Sequence, residues 1–519
     1  MEVDISRTPM REETKQKLNL FGEKLNSFIQ SDWWIVLNVV LVFVSWISGG
    51  WFVVLPILVV MNTLPLFFFK DTKHLLTLIL SFTFAISDNR HRLDGYAWML
   101  VFVLLLFVAM AFSLIRFKRD YSSLHPKNIK GFHAALIALA IPFALAGITT
   151  ASQSPIARVA VLALIILGAL GYTFFYVTLK GDADKTQVAE YVIKVLFCLG
   201  VAISLQAVYY YATTFNSFGE FKTAIMDKNL RLGWGGPNNV APVLSMTIPA
   251  TLYLCLKRNK AVPLLVFCAL FEYLLIFCSG CRGAILFTTI AMPILMLYVM
   301  GKTENKMLFA SSVCALLTVA VVLLGLFGEH VSPIFTRLLD RGFDSSGRTE
   351  GVYPAALELF KRFPIFGAGW DYNLGAMAKD SYTPYWYHST ALQILADMGI
   401  VGAIAFAFFY FHRYRTFLVL RKKPQAFAIF FSLALFDAYG MIDTNFFGPS
   451  FFMMLLVLSL AVELELPDDK CRAFGGRDPI ADLKALFAKI SKRKAVSLDQ
   501  AQQEVDLNEK PEEIEQDRQ

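Results

Sequence analysis

Between residues 33 and 463 the chain repeats one pattern: apolar runs close to the roughly 20 residues that a helix needs to cross a bilayer. Fourteen such runs lie near 33–49, 51–69, 75–88, 96–115, 132–150, 157–178, 190–213, 239–256, 262–279, 283–300, 307–327, 391–411, 424–440 and 446–463. Stretches such as Val101–Ala111 and Ala157–Tyr172 hold almost nothing polar besides Gly, Arg158 and Tyr172. Apolar residues make up 56% of the chain and charged ones 17%. An ordinary soluble domain holds about 45–50% and about 25%. Cores of normal size cannot hide that excess, which excludes a soluble enzyme, a disordered protein and a disulfide-stapled secreted module. What remains is an all-α, polytopic integral membrane protein with 12–14 transmembrane helices. The first two runs are separated by Gly49-Gly50 alone. At about 1.5 Å per residue, 33–69 is too long for one crossing, so a tight hairpin is expected.

The net charge, 48 − 41 = +7, reads first as an orientation signal. Basic residues gather in the N-terminal stretch (Arg7, Arg11, Lys15, Lys17, Lys24) and then in every second connection. Those connections carry Lys70 and Lys73; Arg116 to Lys130; Lys180 and Lys185; Lys257 to Lys260; Lys302 and Lys306; and Arg413, Arg415, Arg421, Lys422 and Lys423. The alternation predicts that both termini are cytoplasmic and that the span count is even. Arg90 and Arg92 fall on the outer side, flanked by Asp88 and Asp94. Basic residues do not alternate with aromatics in a stripe, so no nucleic-acid partner is expected. The first 32 residues are polar, and the first apolar run has no small-residue cleavage site. Cys198, Cys255, Cys268, Cys278, Cys281, Cys314 and Cys471 lie mostly in apolar runs and read as small buried residues.

Three parts follow: a cytoplasmic N-terminal tail (1–32), a membrane domain (33–463) and a separate cytoplasmic C-terminal piece (464–519). The longest outer connection, 328–390, is long enough to be functional in its own right. After Arg348, the residues Val352, Ala356, Leu359, Phe360 and Phe363 make one apolar helix face, ended by Pro364. That face suits a position on the membrane or over a cavity. Residues 482–494 read as a basic amphipathic helix, and the acidic stretch 499–519 reads as disordered.

On the outer side four polar residues stand out among apolar neighbours. Arg231 opens Arg231-Leu-Gly-Trp-Gly-Gly-Pro-Asn-Asn239. Arg282 sits in Ser279-Gly-Cys-Arg-Gly-Ala284, Arg348 in Asp344-Ser-Ser-Gly-Arg-Thr-Glu350 and His388 in Tyr385-Trp-Tyr-His-Ser-Thr390. A guanidinium is permanently charged and grips phosphate oxygens in a fork. Several together suit a lipid pyrophosphate and the charge that grows on it as it leaves. A histidine can take a proton from a sugar hydroxyl. Each residue also has a plainer reading: snorkelling for Arg282, a loop charge for Arg231, pairing with Asp344 or Glu350 for Arg348, and an interfacial belt for His388. Asp182-Ala-Asp184 has the form of a metal-binding pair but reads as a solvated turn. Asp437 and Asp443 are candidate proton-relay carboxylates, although solvation in an outer turn accounts for Asp443.

In order, Arg231-Leu-Gly…Pro237-Asn238, Ser279-Gly-Cys-Arg-Gly-Ala284, Gly347-Arg-Thr…Phe363-Pro-Ile-Phe-Gly-Ala-Gly369 and His388-Ser…Leu392-Gln…Gly399-Ile-Val-Gly402 resemble the O-antigen ligase and O-antigen polymerase superfamily. That superfamily also holds bacterial O-linked oligosaccharyltransferases. The resemblance spans about 231–463. It implies a metal-independent glycosyltransferase of the GT-C type in the cytoplasmic membrane, without a cofactor. Its donor would be an oligosaccharide on undecaprenyl pyrophosphate, and its acceptor a glycan, lipid or protein. By the same resemblance, Arg231, Arg282 and Arg348 would bind the pyrophosphate, and His388 would be the base. Two positions depart from the family pattern: Ser389 replaces an Asn after the histidine, and Cys281 replaces a Ser before the arginine. A carrier of lipid-linked glycans, such as a flippase, is the alternative of a different class. It would spread charge along a central cavity through both halves of the chain.

Overall fold

The computed structural model describes residues 12–87, 98, 100–150, 155–180, 186–340, 348–370 and 386–482, with a few positions between 484 and 489. Among them the chain is helical and forms no strand longer than an isolated bridge. In chain order the helices are α1 (Glu12–Ile29), α2 (Asp32–Ser48), α3 (Trp51–Thr63), α4 (Leu75–Ser81), α5 (Leu100–Arg116), α6 (Gly131–Ala138), α7 (Ala140–Leu145), α8 (Pro155–Lys180) and α9 (Thr186–Thr214). They continue with α10 (Phe218–Met226), α11 (Pro237–Leu254), α12 (Val262–Cys278), α13 (Arg282–Lys302), α14 (Lys306–Asp340), α15 (Tyr353–Arg362), α16 (Thr390–Leu420), α17 (Pro424–Gly440) and α18 (Pro449–Glu463). The all-α polytopic class is therefore the one observed.

Among the described residues, six helical segments are long and apolar enough to cross a bilayer alone: Arg158–Lys180, Gln187–Thr214, Asn259–Cys278, Arg282–Lys302, Lys306–Glu329 and Thr390–Leu420. Several other apolar runs fold as shorter helices, for example the broken pair α6 and α7. The expected hairpin forms, with α2 and α3 packed together after a turn at Gly49-Gly50. Two boundaries differ from the sequence expectation. The N-terminal stretch is helical from Glu12 and bends by 63° into α2. Helix α14 continues to Asp340, so the first part of the 328–390 connection is helical.

The bundle is organised around α11, which packs against α9, α12, α13 and α17. Every residue from Val240 to Leu254 on α11 is buried, although the helix carries Ser245, Thr247, Thr251 and two internal prolines. Its hydroxyls find partners inside the protein. Thr247 and Thr251 reach the buried carboxylate of Glu272 on α12, at 3.0 and 3.2 Å, and Thr288 donates to Ser245 at 2.8 Å. Lipid cannot satisfy such groups, so they fix which face turns inward.

The start of the C-terminal piece is not separate from the bundle. Leu464, Leu466 and Cys471 are buried. The Lys130 ammonium, 1% exposed, donates to the carbonyls of Pro467 (2.6 Å), Asp468 (3.1 Å) and Lys470 (2.8 Å). Three protons meet three acceptors, which is why a lysine can be buried here. Backbone bonds from Gly131 N to Cys471 O (2.8 Å) and from Ala473 N to Ile129 O (2.9 Å) complete a strap over residues 464–473. Most of the amphipathic stretch 482–494 and all of 499–519 lie outside the described residues.

Candidate functional site

The site is built where α16 begins. Ser389 is the N-cap of α16 and accepts from Leu392 N at 3.5 Å, so the serine at this position supplies a capping side chain. Directly before it, His388 holds a left-handed backbone (φ 51°), a strained conformation for a side chain of this size. Tyr353 on α15 donates to the His388 carbonyl (3.3 Å), and Tyr387 N donates to Gln393 (2.8 Å). The helix is interrupted at Gly399 (φ 60°, ψ −152°), and the loop 363–369 docks into the break. Ile400 N and Val401 N donate to the carbonyls of Pro364 (2.8 Å) and Ile365 (3.1 Å), while Ala368 N and Gly369 N donate to Ala396 (2.7 Å) and Asp397 (3.0 Å). A Cβ at Gly399 would lie 2.6 Å from two of those carbonyl oxygens, so only glycine fits. The Phe363–Gly369 motif thus stitches the long connection to α16. The apolar face predicted after Arg348 forms in α15, and Ala356 and Leu359 are buried in a cluster with Tyr387 and Ala396.

The turn after α17 draws the other groups together. His388 Nδ1 lies 3.3 Å from Asp443 Oδ1. Asp443 also accepts from Thr444 N (2.8 Å, Oδ1) and from the Tyr439 hydroxyl (3.3 Å, Oδ2). Burial alone would raise the Asp443 pKa. The hydrogen bonds from His388 and Thr444, together with the charges of His388 and Arg348, outweigh it and hold the carboxyl below its ordinary value. An ionised carboxylate only accepts, so it requires the proton on Nδ1 and leaves Nε2 as the histidine's basic atom. Arg348, at the start of the turn before α15, donates through Nη1 to the carbonyl of Ile442 (2.6 Å), one residue from Asp443. Asp344, one of the two expected pairing partners, lies outside the described residues.

Arg282 is the first residue of α13 and is half-buried. Its neighbours tie it to the same turn. The Cys281 thiol lies 3.4 Å from the Tyr439 oxygen. A Cβ on Gly283 would sit 2.0 Å from Ile442 Cδ1 and 3.3 Å from the Tyr439 ring, so α13 and α17 touch closely at this point. Arg231 stands one loop away. It is exposed, and its Nη1 donates to the carbonyls of Lys228 (3.2 Å) and Leu230 (3.1 Å) in its own loop. That loop rests against Gly280, whose added Cβ would meet Ile225 O at 2.6 Å and Lys228 Cγ at 3.2 Å. The structure therefore groups His388, Arg348 and the Arg282 turn around residues 439–443, and sets Arg231 on the adjoining wall.

Comparison with known proteins bears on this segment. Residues 264–407 match the O-antigen ligase family. The match begins in α12, ends within α16, and includes Arg282, Arg348 and His388; Arg231 and Asp443 lie outside it. With the membrane-length helices it supports a membrane enzyme of O-antigen or related glycan assembly. No curated protein matches the chain.

Sequence reasoning misjudged Asp443. It is not a solvated turn residue: it is 8% exposed and holds His388. The available signal was a single carboxylate in a short turn between two apolar runs. Tyr439 is not among the residues singled out from the sequence: nothing distinguishes one tyrosine near the end of an apolar run. The cysteines hold a further pattern, Cys278-Ser-Gly-Cys281, which the reading of all seven as buried apolar residues overlooks. Burial pushes the Cys281 thiol up, so it acts as a neutral hydrogen-bonding group and not as a thiolate. Asp182 and Asp184 lie outside the described residues.

Proposed function

We propose that this chain is a metal-independent membrane glycosyltransferase of the GT-C type. It takes an oligosaccharide from undecaprenyl pyrophosphate at the outer face of the cytoplasmic membrane and transfers or polymerises it. The observation that carries the reading is the Asp443–His388 pair, set beside an arginine tied to the same turn. Asp443 keeps the proton on Nδ1, and Nε2 accepts the proton of the acceptor hydroxyl. The acceptor oxygen bonds to the anomeric carbon as the bond from that carbon to the pyrophosphate oxygen breaks. Arg282 and Arg348 neutralise the charge gathering on the leaving pyrophosphate, with Arg231 joining from the neighbouring loop. Three fixed guanidinium charges supply what a divalent cation supplies in other transferases. The resemblance and the family match both support a glycan substrate on a lipid.

The test is a gel of surface glycan from a deletion strain, complemented with wild type or with His388→Ala. Collapse of the ladder to a single repeat on its final acceptor identifies a polymerase. Full-length chains left on the lipid carrier, with a bare acceptor, identify a ligase. A wild-type ladder from His388→Ala sinks the mechanism and brings the carrier reading forward.

A further inference from the structure

We infer that Tyr439 is a positioning residue for the transfer step: its hydroxyl joins the turn that carries Arg282 to the carboxylate that orients His388. The inference rests on the reading of His388 as the base. It starts from three buried groups in a row. Cys281 Sγ is 3.4 Å from the Tyr439 oxygen, and that oxygen is 3.3 Å from Asp443 Oδ2. Cys281, Tyr439 and Asp443 are 2%, 4% and 8% exposed.

Counting protons fixes the direction of the chain. An ionised Asp443 accepts only, so the phenol must donate to it. The phenol oxygen is then left to accept, and the neutral Cys281 thiol donates to it. Asp443 Oδ1 is occupied by Thr444 N and His388. Among the described residues, Oδ2 receives only the Tyr439 hydroxyl. Tyr439 is therefore the second anchor of a carboxylate that must stay in one orientation to hold the imidazole. Charged and titratable groups face this chain from several elements: Arg348 from the turn before α15, His388 from the start of α16, and Cys281 from the start of α13.

The same residue serves the phosphate side. Its ring and Ile442 pack over Gly283, and its oxygen holds Cys281, the residue before Arg282. Ile442 in turn offers its carbonyl to Arg348. One turn thus sets the distance between the base and two of the arginines, and Tyr439 is its side-chain link to α13. Pre-organisation of this kind raises turnover without adding affinity for the donor.

Tyr439→Phe removes one oxygen and keeps the ring over Gly283, so the packing between α13 and α17 is preserved. The experiment uses the full chain in lipid nanodiscs, with a lipid-linked oligosaccharide donor and its acceptor. Wild type, Tyr439→Phe, Asp443→Asn, the double variant and His388→Ala are compared. Tyr439→Phe is expected to lower kcat about ten-fold, the effect of losing a hydrogen bond to a charged group, with the donor KM within about two-fold of wild type. In the Asp443→Asn background, Tyr439→Phe is expected to cost clearly less than in wild type, because the link to the carboxylate is already weakened and only the one to Cys281 is left to lose. An equal loss in both backgrounds would assign Tyr439 to packing alone and overturn the inference. So would a wild-type kcat in Tyr439→Phe, provided His388→Ala is inactive. Full turnover in His388→Ala overturns the reading of the base, and the inference with it.

Discussion

Two pairs of a basic and an acidic side chain join α16 to α17, one between the residues that flank the helices and one within them, and they differ in burial and surroundings. At the mouth, His388 meets Asp443 at 3.3 Å, and the histidine side chain is 39% exposed. Deeper in the bundle, Arg413 bonds to Asp437 with its side chain 1% exposed. Tyr414 donates to the same Asp437 oxygen, and the Arg413 guanidinium lies over the rings of Phe409, Tyr410 and Tyr414. The outer pair leaves the imidazole partly exposed. The inner pair is sealed in aromatic packing. In the proposed mechanism the partly exposed histidine is the group that meets substrate, whereas a fully enclosed ion pair fixes which faces of two helices meet. A carrier would need charge lining a passage, and the Arg413–Asp437 pair is closed on itself.

The sharpest way to break this comparison is His388→Ala. Loss of a positioned general base costs roughly 10²–10⁴ in turnover. We expect that loss in a transfer assay, with expression and thermal stability near wild type, because the side chain is partly exposed and packs little. A variant that unfolds instead would make the outer pair structural, like the inner one.

The inner pair predicts the reverse. Arg413→Met leaves the Asp437 carboxylate buried and uncompensated, a cost of about 3–5 kcal/mol. Melting in detergent should fall sharply, and the surviving folded fraction should keep its specific activity. Arg413→Met combined with Asp437→Leu should recover most of the lost stability, since a well-packed apolar replacement for a buried ion pair is often neutral. If the double variant stays as unstable as the single one, the pair is not what holds these faces together.

Legibility in the sequence followed the same division. The outer Arg and His residues stood out because they break apolar runs, and the topology gathered them on one face. Arg413 did not stand out: by charge alone it counted among the basic residues of a cytoplasmic connection, yet the structure buries it. Hydropathy ranks the helices in the wrong order for burial as well. The strongly apolar α14 has 11% of its membrane-length window buried, while α11, with its hydroxyls and prolines, is enclosed along its length. In a bilayer the apolar surface can face lipid, so polar and small residues mark the interior. Asp443, a candidate with a plainer reading in solvation, and Tyr439, not singled out at all, were hard to read for a different reason. Their importance lies in partners 55 and 158 residues away in sequence, whose contacts exist only after α13, α16 and α17 are assembled. The glycines of the Phe363–Gly369 motif and Gly399 were visible, but not the stitch they make.

Arg282→Lys tests whether geometry or charge matters at the mouth. Lysine keeps the charge and loses the fork. Loss of one charge-assisted hydrogen bond, about 1.5–3 kcal/mol, slows turnover roughly ten-fold or more. Equal turnover in Arg282→Lys would remove Arg282 from the pyrophosphate grip and leave Arg348 and Arg231 to account for it.

The smallest effect is expected from deleting 499–519. The distribution of Lys and Arg predicts that this acidic stretch and His388 are on opposite sides of the membrane, so catalysis should be unchanged. A deletion beginning at 464 provides the contrast. It removes Leu464, Leu466 and Cys471 from the bundle and strips the Lys130 ammonium of its three carbonyl acceptors. A buried ammonium without acceptors is costly, so this longer deletion should lower the melting temperature markedly while the shorter one leaves it in place. Lost activity in a stably inserted 499–519 deletion would mean that the tail reaches the site, and the orientation read from the basic residues would have to be reversed.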